Sequence, residues 1–342
     1  MLAIPLVRAF WGQPFLRFFR EAGAPVDRYL EEARLAPDVD REPGLALPSR
    51  PLYGVINRLA RESGRRDVGL EIGARTMMRS LDPFGRRIAG RETLGDAIAA
   101  AERLMPSVHT ARQVTLSVAG GTARLSSRLE PAQLAPTPWG DQFALSMLID
   151  LVRMAAGSDW CPERATVQAR PDRGGPSGSA LGGATVDHGE TATTIEFPRS
   201  LLGCRLGTTS EPVFDRAAVR HPDVDLEPLP TDFVGSLQVT LDALLPQGHT
   251  DIGSLARTVD LSVRTLQRRL SERGRSFSEL LARSRFALAR RRFLDPSVRV
   301  IDVAFEAGYS DPTHFTAAFR RWTGQTPVVY RTAQVPALAQ AY

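Results

Sequence analysis

Thr250-Asp-Ile-Gly-Ser-Leu-Ala-Arg-Thr-Val-Asp-Leu-Ser-Val-Arg-Thr-Leu-Gln-Arg-Arg-Leu-Ser271 contains two short helical patterns separated by three residues. The first, Ile252 to about Thr258, turns Ile252, Leu255 and Ala256 inward, and Ala256 is small where two helices must cross closely. Val259 to Leu261 forms the turn. Ser262 is placed to cap the following helix by accepting from its free amides. In that helix Leu266 and Leu270 lie four apart and face the core, which leaves Arg264, Gln267 and Arg268 outside. Arginine and glutamine are the side chains that match guanine and adenine edges in a major groove.

The pattern recurs. Val300 to Phe319 repeats Leu255-Ala256 as Val303-Ala304, Ser262 as Ser310, and Leu266 and Leu270 as Phe315 and Phe319. The offset is 48 residues at the alanines and 49 at Leu266 to Phe315. An internal copy of a helix pair arises by chance far less often than a single one. Between the copies, Ser276-Phe-Ser-Glu279 is a capping box opening a helix that the sequence carries to about Leu294, where Asp295-Pro296 ends it. A rod of that length, roughly 28 Å, suits two helices entering successive major-groove faces about 34 Å apart. Arg290-Arg291-Arg292 reads equally as a phosphate contact or as a solvated face.

Charge is distributed accordingly. The chain of 342 residues has a net charge of +5, and its 43 basic residues are all arginine. From Thr250 to Arg331 there are 15 arginines against 8 acids, a net of +7, which leaves −2 for the rest. A basic end on a slightly acidic remainder points to nucleic acid.

Residues 233–332 resemble the DNA-binding domain of the AraC/XylS family. The resemblance is carried by Leu255-Ala256, Ser262-Val-Arg-Thr-Leu-Gln-Arg-Arg-Leu270, Gly308-Tyr-Ser-Asp-Pro-Thr-His-Phe315, Ala318-Phe-Arg-Arg-Trp-Thr-Gly324, Thr326-Pro327 and Tyr330-Arg331. It implies a seven-helix domain whose two recognition helices present Arg264, Gln267 and Arg268, then Thr313, His314 and Ala317, toward bases. Ala317 departs from the arginine that relatives often carry, so the first unit is expected to supply most base discrimination. Ser262 is a further DNA-contact candidate, and Ser310 and Thr316 are candidates on the phosphates. The N-terminal part more weakly resembles the arabinose-binding-like domain of ornithine-utilisation-type regulators, on Asp67-Val-Gly-Leu-Glu-Ile-Gly73, Thr93-Leu-Gly-Asp-Ala-Ile98 and Phe197 to Leu206.

That N-terminal part, residues 1–206, reads as an α+β sensing and dimerisation domain. Helical spacing runs from Phe15 to Glu32 with a Gly23-Ala-Pro25 interruption, from Pro51 to Ser63, from Thr93 (an N-cap) to Met105, and from Asp141 to Ala155. Gln113–Val118 and Thr122–Leu129 alternate around Gly120-Gly121 as a hairpin, and Thr193–Phe197 is a further strand. Pro171 to Gly183 reads as a loop. Residues 207–232 form a linker, followed by the all-α domain of 233–332, with its helix-turn-helix units at about 250–271 and 300–320 joined by the long helix. A loose tail covers 333–342.

Enzyme signatures are absent: there is no GxSxG elbow, P-loop, HExxH or strand-to-helix GxGxxG. The five histidines, His109, His188, His221, His249 and His314, have no ligand spacing, so neither metal nor cofactor is expected. Cys161 and Cys204 read as ordinary thiols of a reducing compartment. No run of apolar residues is long enough to span a membrane, and the start lacks a cleavage site, so a cytoplasmic protein is expected. Trp11, Phe15, Trp139 and Trp160 read as core aromatics that could also line a pocket. The helices at Leu52–Leu59 and Phe143–Met154 are candidate faces for a second protomer. The reading is therefore a transcription regulator, an activator by family preference. Its partners are double-stranded DNA, RNA polymerase, a small-molecule effector and a second copy of itself. The alternative is a ligand-independent dimer whose N-terminal domain makes only protein contacts.

Overall fold

Leu6–Arg8 (β1) lies antiparallel to Ala46–Pro48 (β2), a two-stranded ribbon too short to show an alternating pattern in sequence. This computed structural model describes residues 3–81, 83–130, 132–170, 181–207, 226–295 and 297–332. Most of the linker, part of the Pro171–Gly183 loop and the 333–342 tail fall outside those residues. The first helices are Ala9–Glu21 (α1) and Val26–Glu32 (α2). The pattern in sequence begins at Phe15, yet α1 starts six residues earlier. Pro14 lies inside it and hides the periodicity, while the amides of Ala9 and Phe10 are fixed by the carbonyls of Leu45 and Pro43 at 2.8 and 3.1 Å. Ser49–Glu62 (α3), Val68–Arg75 (α4), Phe84–Ala89 (α5) and Leu94–Val108 (α6) follow, the last capped by the Thr93 hydroxyl accepting from the Asp96 amide.

Arg112–Ala119 (β3) and Thr122–Leu129 (β4) form the expected hairpin, with Ala119 opposite Thr122 across Gly120-Gly121. Pro138–Ala156 (α7) then crosses the sheet. Arg164–Val167 (β5), Thr185–His188 (β6) and Thr193–Pro198 (β7) complete it in the order β3-β4-β7-β5-β6, antiparallel except for the β5–β6 pair. Ala123, Leu125, Ser127 and Leu129 of β4 point into the core, while Arg124 faces solvent and pairs with Glu196 at 2.5 Å. Trp11, Phe15, Trp139 and Phe143 meet edge to face inside the domain. These aromatics are core.

Two glycines let α4 lie against α7. A Cβ at Gly69 would stand 2.1 Å from the Trp139 carbonyl oxygen, and one at Gly73 would stand 2.3 Å from Ser146 Cβ. The Gly69 amide donates to Gln142 Oε1 at 3.0 Å, which ties the crossing together. One expectation is corrected here: the apolar faces of α3 (Leu52, Val55, Ile56, Leu59) and α7 (Phe143, Met147, Met154) are buried within the domain, so neither is free to receive a second protomer.

The C-terminal part is helical: Phe233–Leu244 (α8), Ile252–Thr258 (α9), Val263–Ser271 (α10), Phe277–Arg292 (α11), Val300–Glu306 (α12) and Pro312–Thr323 (α13), with residues 327–332 also helical. It has two cores. Phe233, Leu237, Leu241, Leu255, Leu266, Leu270 and Leu280 form one; Leu288, Phe293, Val303, Ala304, Phe315 and Phe319 form the other. Helix α11 belongs to both, and its capping box closes as the sequence indicates, with Ser276 N–H donating to Glu279 Oε2 at 2.8 Å and Glu279 N–H donating to Ser276 Oγ at 3.2 Å. It ends two residues before Leu294 and is about 24 Å long.

The two parts touch. Ile4 is buried in the first helical core, and its amide donates to Ser236 Oγ at 3.0 Å. Arg8 spans three segments, donating to the carbonyls of Ser107, Gly44 and Glu227 at 2.8, 2.6 and 2.7 Å. Leu226, at the described end of the 207–232 segment, packs into the sensor core.

Candidate nucleic-acid interface

Helix α10 is built as an exposed reader on a fixed base. Leu266 and Leu270 are 0% and 1% exposed, and the Ser262 hydroxyl accepts from the Thr265 amide at 3.1 Å, closing the helix start. Arg264, Gln267 and Arg268 all stand on the open side. Arg264 and Gln267 have no protein partner among the described residues, whereas Arg268 Nη1 pairs with Glu272 at 2.5 Å. That pair is exposed and one helical turn long, so it holds the guanidinium only weakly against a base. The small residue at the crossing of α9 and α10, Ala256, is 1% exposed. Ala256→Leu is expected to cost about 1–3 kcal/mol by overpacking and to abolish specific DNA binding; a melting curve and operator affinity matching the parent would refute the crossing.

Helix α13 is the counterpart. Phe315 and Phe319 are buried as Leu266 and Leu270 are, and Thr313, His314 and Ala317 are exposed. The turn before it corresponds to the first turn, with Gly308 (φ 74°) in the place of Asp260 (φ 55°). Glycine serves there twice, because a Cβ would also stand 2.5 Å from Thr250 Cγ2. The cap differs from expectation. Asp311, not Ser310, accepts from the Thr313 amide, at 2.7 Å, and that bond holds the Asp311 carboxyl below its ordinary range. The cap-to-cap offset from Ser262 to Asp311 is therefore 49, so the extra residue that changes the repeat from 48 to 49 lies at this turn. Ser310 remains exposed beside the helix start. Thr316 is half-buried, and its hydroxyl donates to the Pro312 carbonyl at 2.9 Å, so it reaches outward less than the sequence suggested.

Two residues escaped the sequence reading. Arg320 and Arg321 are exposed on α13, and with Thr313 and Ala317 they border a depression of about 720 Å³. The signal was present in the Ala318-Phe-Arg-Arg-Trp322 signature, which identified the domain without assigning its arginines. Of the basic run on α11, Arg292 turns to Glu306 at 2.6 Å and Arg290 lies over the Phe286 ring, 5.8 Å from its centroid. Arg292 is thus held in an ion pair with Glu306, which is neither a free phosphate contact nor a solvated face.

Paired, capped helices with arginines on their open faces, hung on a separate α/β domain, define a DNA-binding transcription regulator. Comparison with known proteins agrees. A helix-turn-helix domain family matches residues 255–333, and the arabinose-binding N-terminal domain of AraC transcription regulators matches residues 23–206. The chain belongs to the AraC family of transcription regulators, which is not a family of enzymes. It is 28% identical over 339 residues to the HTH-type transcriptional regulator VirS of Mycobacterium tuberculosis, covering 95% of this chain and 96% of that one. Over 88 residues, 26% of each chain, it is 33% identical to the ornithine utilization regulator of Pseudomonas aeruginosa. The crystal structure of the transcriptional regulator CdpR from Pseudomonas aeruginosa aligns with a TM-score of 0.37 at 22% identity, over 92% of this chain and 98% of that one. No helix among the described residues is long and apolar enough to cross a membrane.

Proposed function

We propose that the chain activates transcription from promoters whose DNA it reads with α10 and α13 in successive major-groove faces. A small molecule held by the N-terminal domain sets its affinity for the site or its contact with RNA polymerase. The observation that carries this reading is the unpartnered, outward Arg264–Gln267 edge of α10 on a buried base, repeated in form by α13. Direct readout comes mainly from Arg264, Gln267 and Arg268. Thr313 and His314 add contacts from α13, while Ser262, Ser310, Thr316, Arg320 and Arg321 serve the phosphates. A homodimer in the cytoplasm suits two-fold or tandem operator elements. Coupling between the domains is supported by their contacts: Arg50 with Asp260 in the first turn at 3.2 Å, Arg34 with the Ser254 carbonyl at 3.4 Å, and Ile4 inside the first helical core. An effector must bind the two arrangements unequally to shift anything.

Recovery of genomic fragments by the purified protein at two salt concentrations tests the assignment. A motif of two elements about ten base pairs apart is expected. Binding without a motif that vanishes at moderate salt would reduce the basic end to phosphate attraction. On the recovered site, Arg268→Ala is expected to cost on the order of 1–3 kcal/mol and to relax base preference at one position. An equal loss on random DNA would make Arg268 a phosphate contact instead.

A further inference from the structure

Helix α13 shares the frame of α10 but not its chemistry. With the caps Ser262 and Asp311 49 residues apart, Arg264, Gln267 and Arg268 of α10 fall on Thr313, Thr316 and Ala317 of α13. Each of these three positions presents a hydrogen-bonding head in the first unit and a methyl-bearing side chain in the second. Thr313, Thr316 and Ala317 border the same depression of about 720 Å³, together with Pro312, Arg320 and Arg321.

The hydroxyls of that depression are already engaged. Asp311 accepts from both the amide and the hydroxyl of Thr313, the amide at 2.7 Å. Thr316 donates its hydroxyl to the Pro312 carbonyl at 2.9 Å, one turn back in its own helix, so toward a base it presents its methyl. Pro312 and Ala317 have no polar side-chain atom. The floor therefore has no free side-chain donor for a base edge. The rim is cationic instead: the guanidiniums of Arg320 and Arg321 make no ion pair among the described residues.

In a major groove the base edges offer ring nitrogens, amino groups, carbonyl oxygens and one apolar group, the C5 methyl of thymine. A recognition helix turns its N-terminal residues to those edges, and in α13 these are Thr313 to Ala317. Arg320 and Arg321 lie on the following turn, where a cation suits the flanking phosphates. We infer that α13 is a methyl reader, which seats a thymine C5 methyl against Thr313, Thr316 and Ala317 with Arg320 and Arg321 on the phosphates beside it. The operator element under α13 is consequently fixed by a thymine, where the element under α10 is fixed by guanine or adenine. The inference rests on the reading of DNA by both helices and names the base that the second one selects.

The test uses the full chain and a synthetic duplex of its selected site, with deoxyuridine replacing thymidine at one position of the α13 element at a time. Arg264→Ala, which relaxes the other element, tells the two elements apart. At one position uracil is expected to weaken binding about fourfold, the worth of one buried methyl. A cytosine placed there is expected to bind weakly and to regain affinity when it is 5-methylated. Thr313→Ser and Thr316→Ser, which remove a methyl and keep the hydroxyl, are expected to shrink the uracil penalty. Thr313→Val, which keeps the methyl, is expected to preserve it. Ala317→Arg is expected to replace the preference for thymine by one for guanine, about tenfold, with the melting temperature unchanged. Equal binding of uracil at every position of the α13 element, with the α10 element still selective, overturns methyl reading alone. A penalty that Thr313→Val abolishes and Thr313→Ser preserves overturns it as well, because the hydroxyl is then the contact. Selection that yields no motif removes the DNA-reading assignment, and this inference with it.

Discussion

Phe319→Ala is expected to unfold the second helix pair and abolish specific DNA binding, at a cost of about 3–5 kcal/mol. Phe319 is fully buried, and its ring meets those of Phe286, Phe293, Phe315, Trp322 and Tyr330 at centroid distances of 5.9, 5.6, 5.7, 6.2 and 5.3 Å. No neighbour is long and flexible enough to fill the space, so the cavity remains. Ordinary domains have about 5–15 kcal/mol in all, which makes the loss a large share of what holds this part folded. Because this core is distinct from that of the first pair and from that of the sensor, calorimetry should show an early separate transition, with the sensor's melting preserved. A variant that melts as the parent does would contradict the packing described above.

Gly69→Val acts at the other end of the molecule. The first atom added would overlap the Trp139 carbonyl oxygen, and the second nearest obstacle is Gln142 Cβ at 2.7 Å. A carbonyl inside a helix cannot rotate away, so α4 has to leave α7, breaking the Gly69–Gln142 bond and the Gln142 Nε2–Arg66 carbonyl bond of 2.9 Å. Overpacking of this kind costs about 3 kcal/mol or more. The expected result is a lowered sensor melting transition with that of the helical domain retained. Parent-like melting of both would show that the two helices can separate freely.

How legible these features were in sequence depends on how local their causes are. Ser262, Thr93 and the Ser276–Glu279 box are caps, decided within four residues, and each was readable in place. The Gly120-Gly121 hairpin was readable for the same reason. Ribbons β1 and β2 were not, because three residues show no period and their pairing is fixed by segments 40 residues apart. Asp311 caps α13 in place of Ser310, through a one-residue shift that matching Ser310 to Ser262 did not reveal. On α10 the reading face followed from helical period alone, whereas Arg320 and Arg321 required knowing which side of α13 the phenylalanines bury. Glycines 69 and 73 stood in the sequence as a resemblance; the α4–α7 crossing supplies their physical reason.

The position of Ile4 bears on how the protein is made and handled. Its partner Ser236 lies 232 residues further along the chain, so the hydrophobic centre of the first helix pair closes only after most of the polypeptide has been synthesised. The sensor emerges first and must hold that segment in reserve. A fragment cut to the helical domain alone would fold without the Ile4 side chain in its interior, and a tag fused near residue 4 would press on the core that α10 shares, from a distance that the linear map does not reveal.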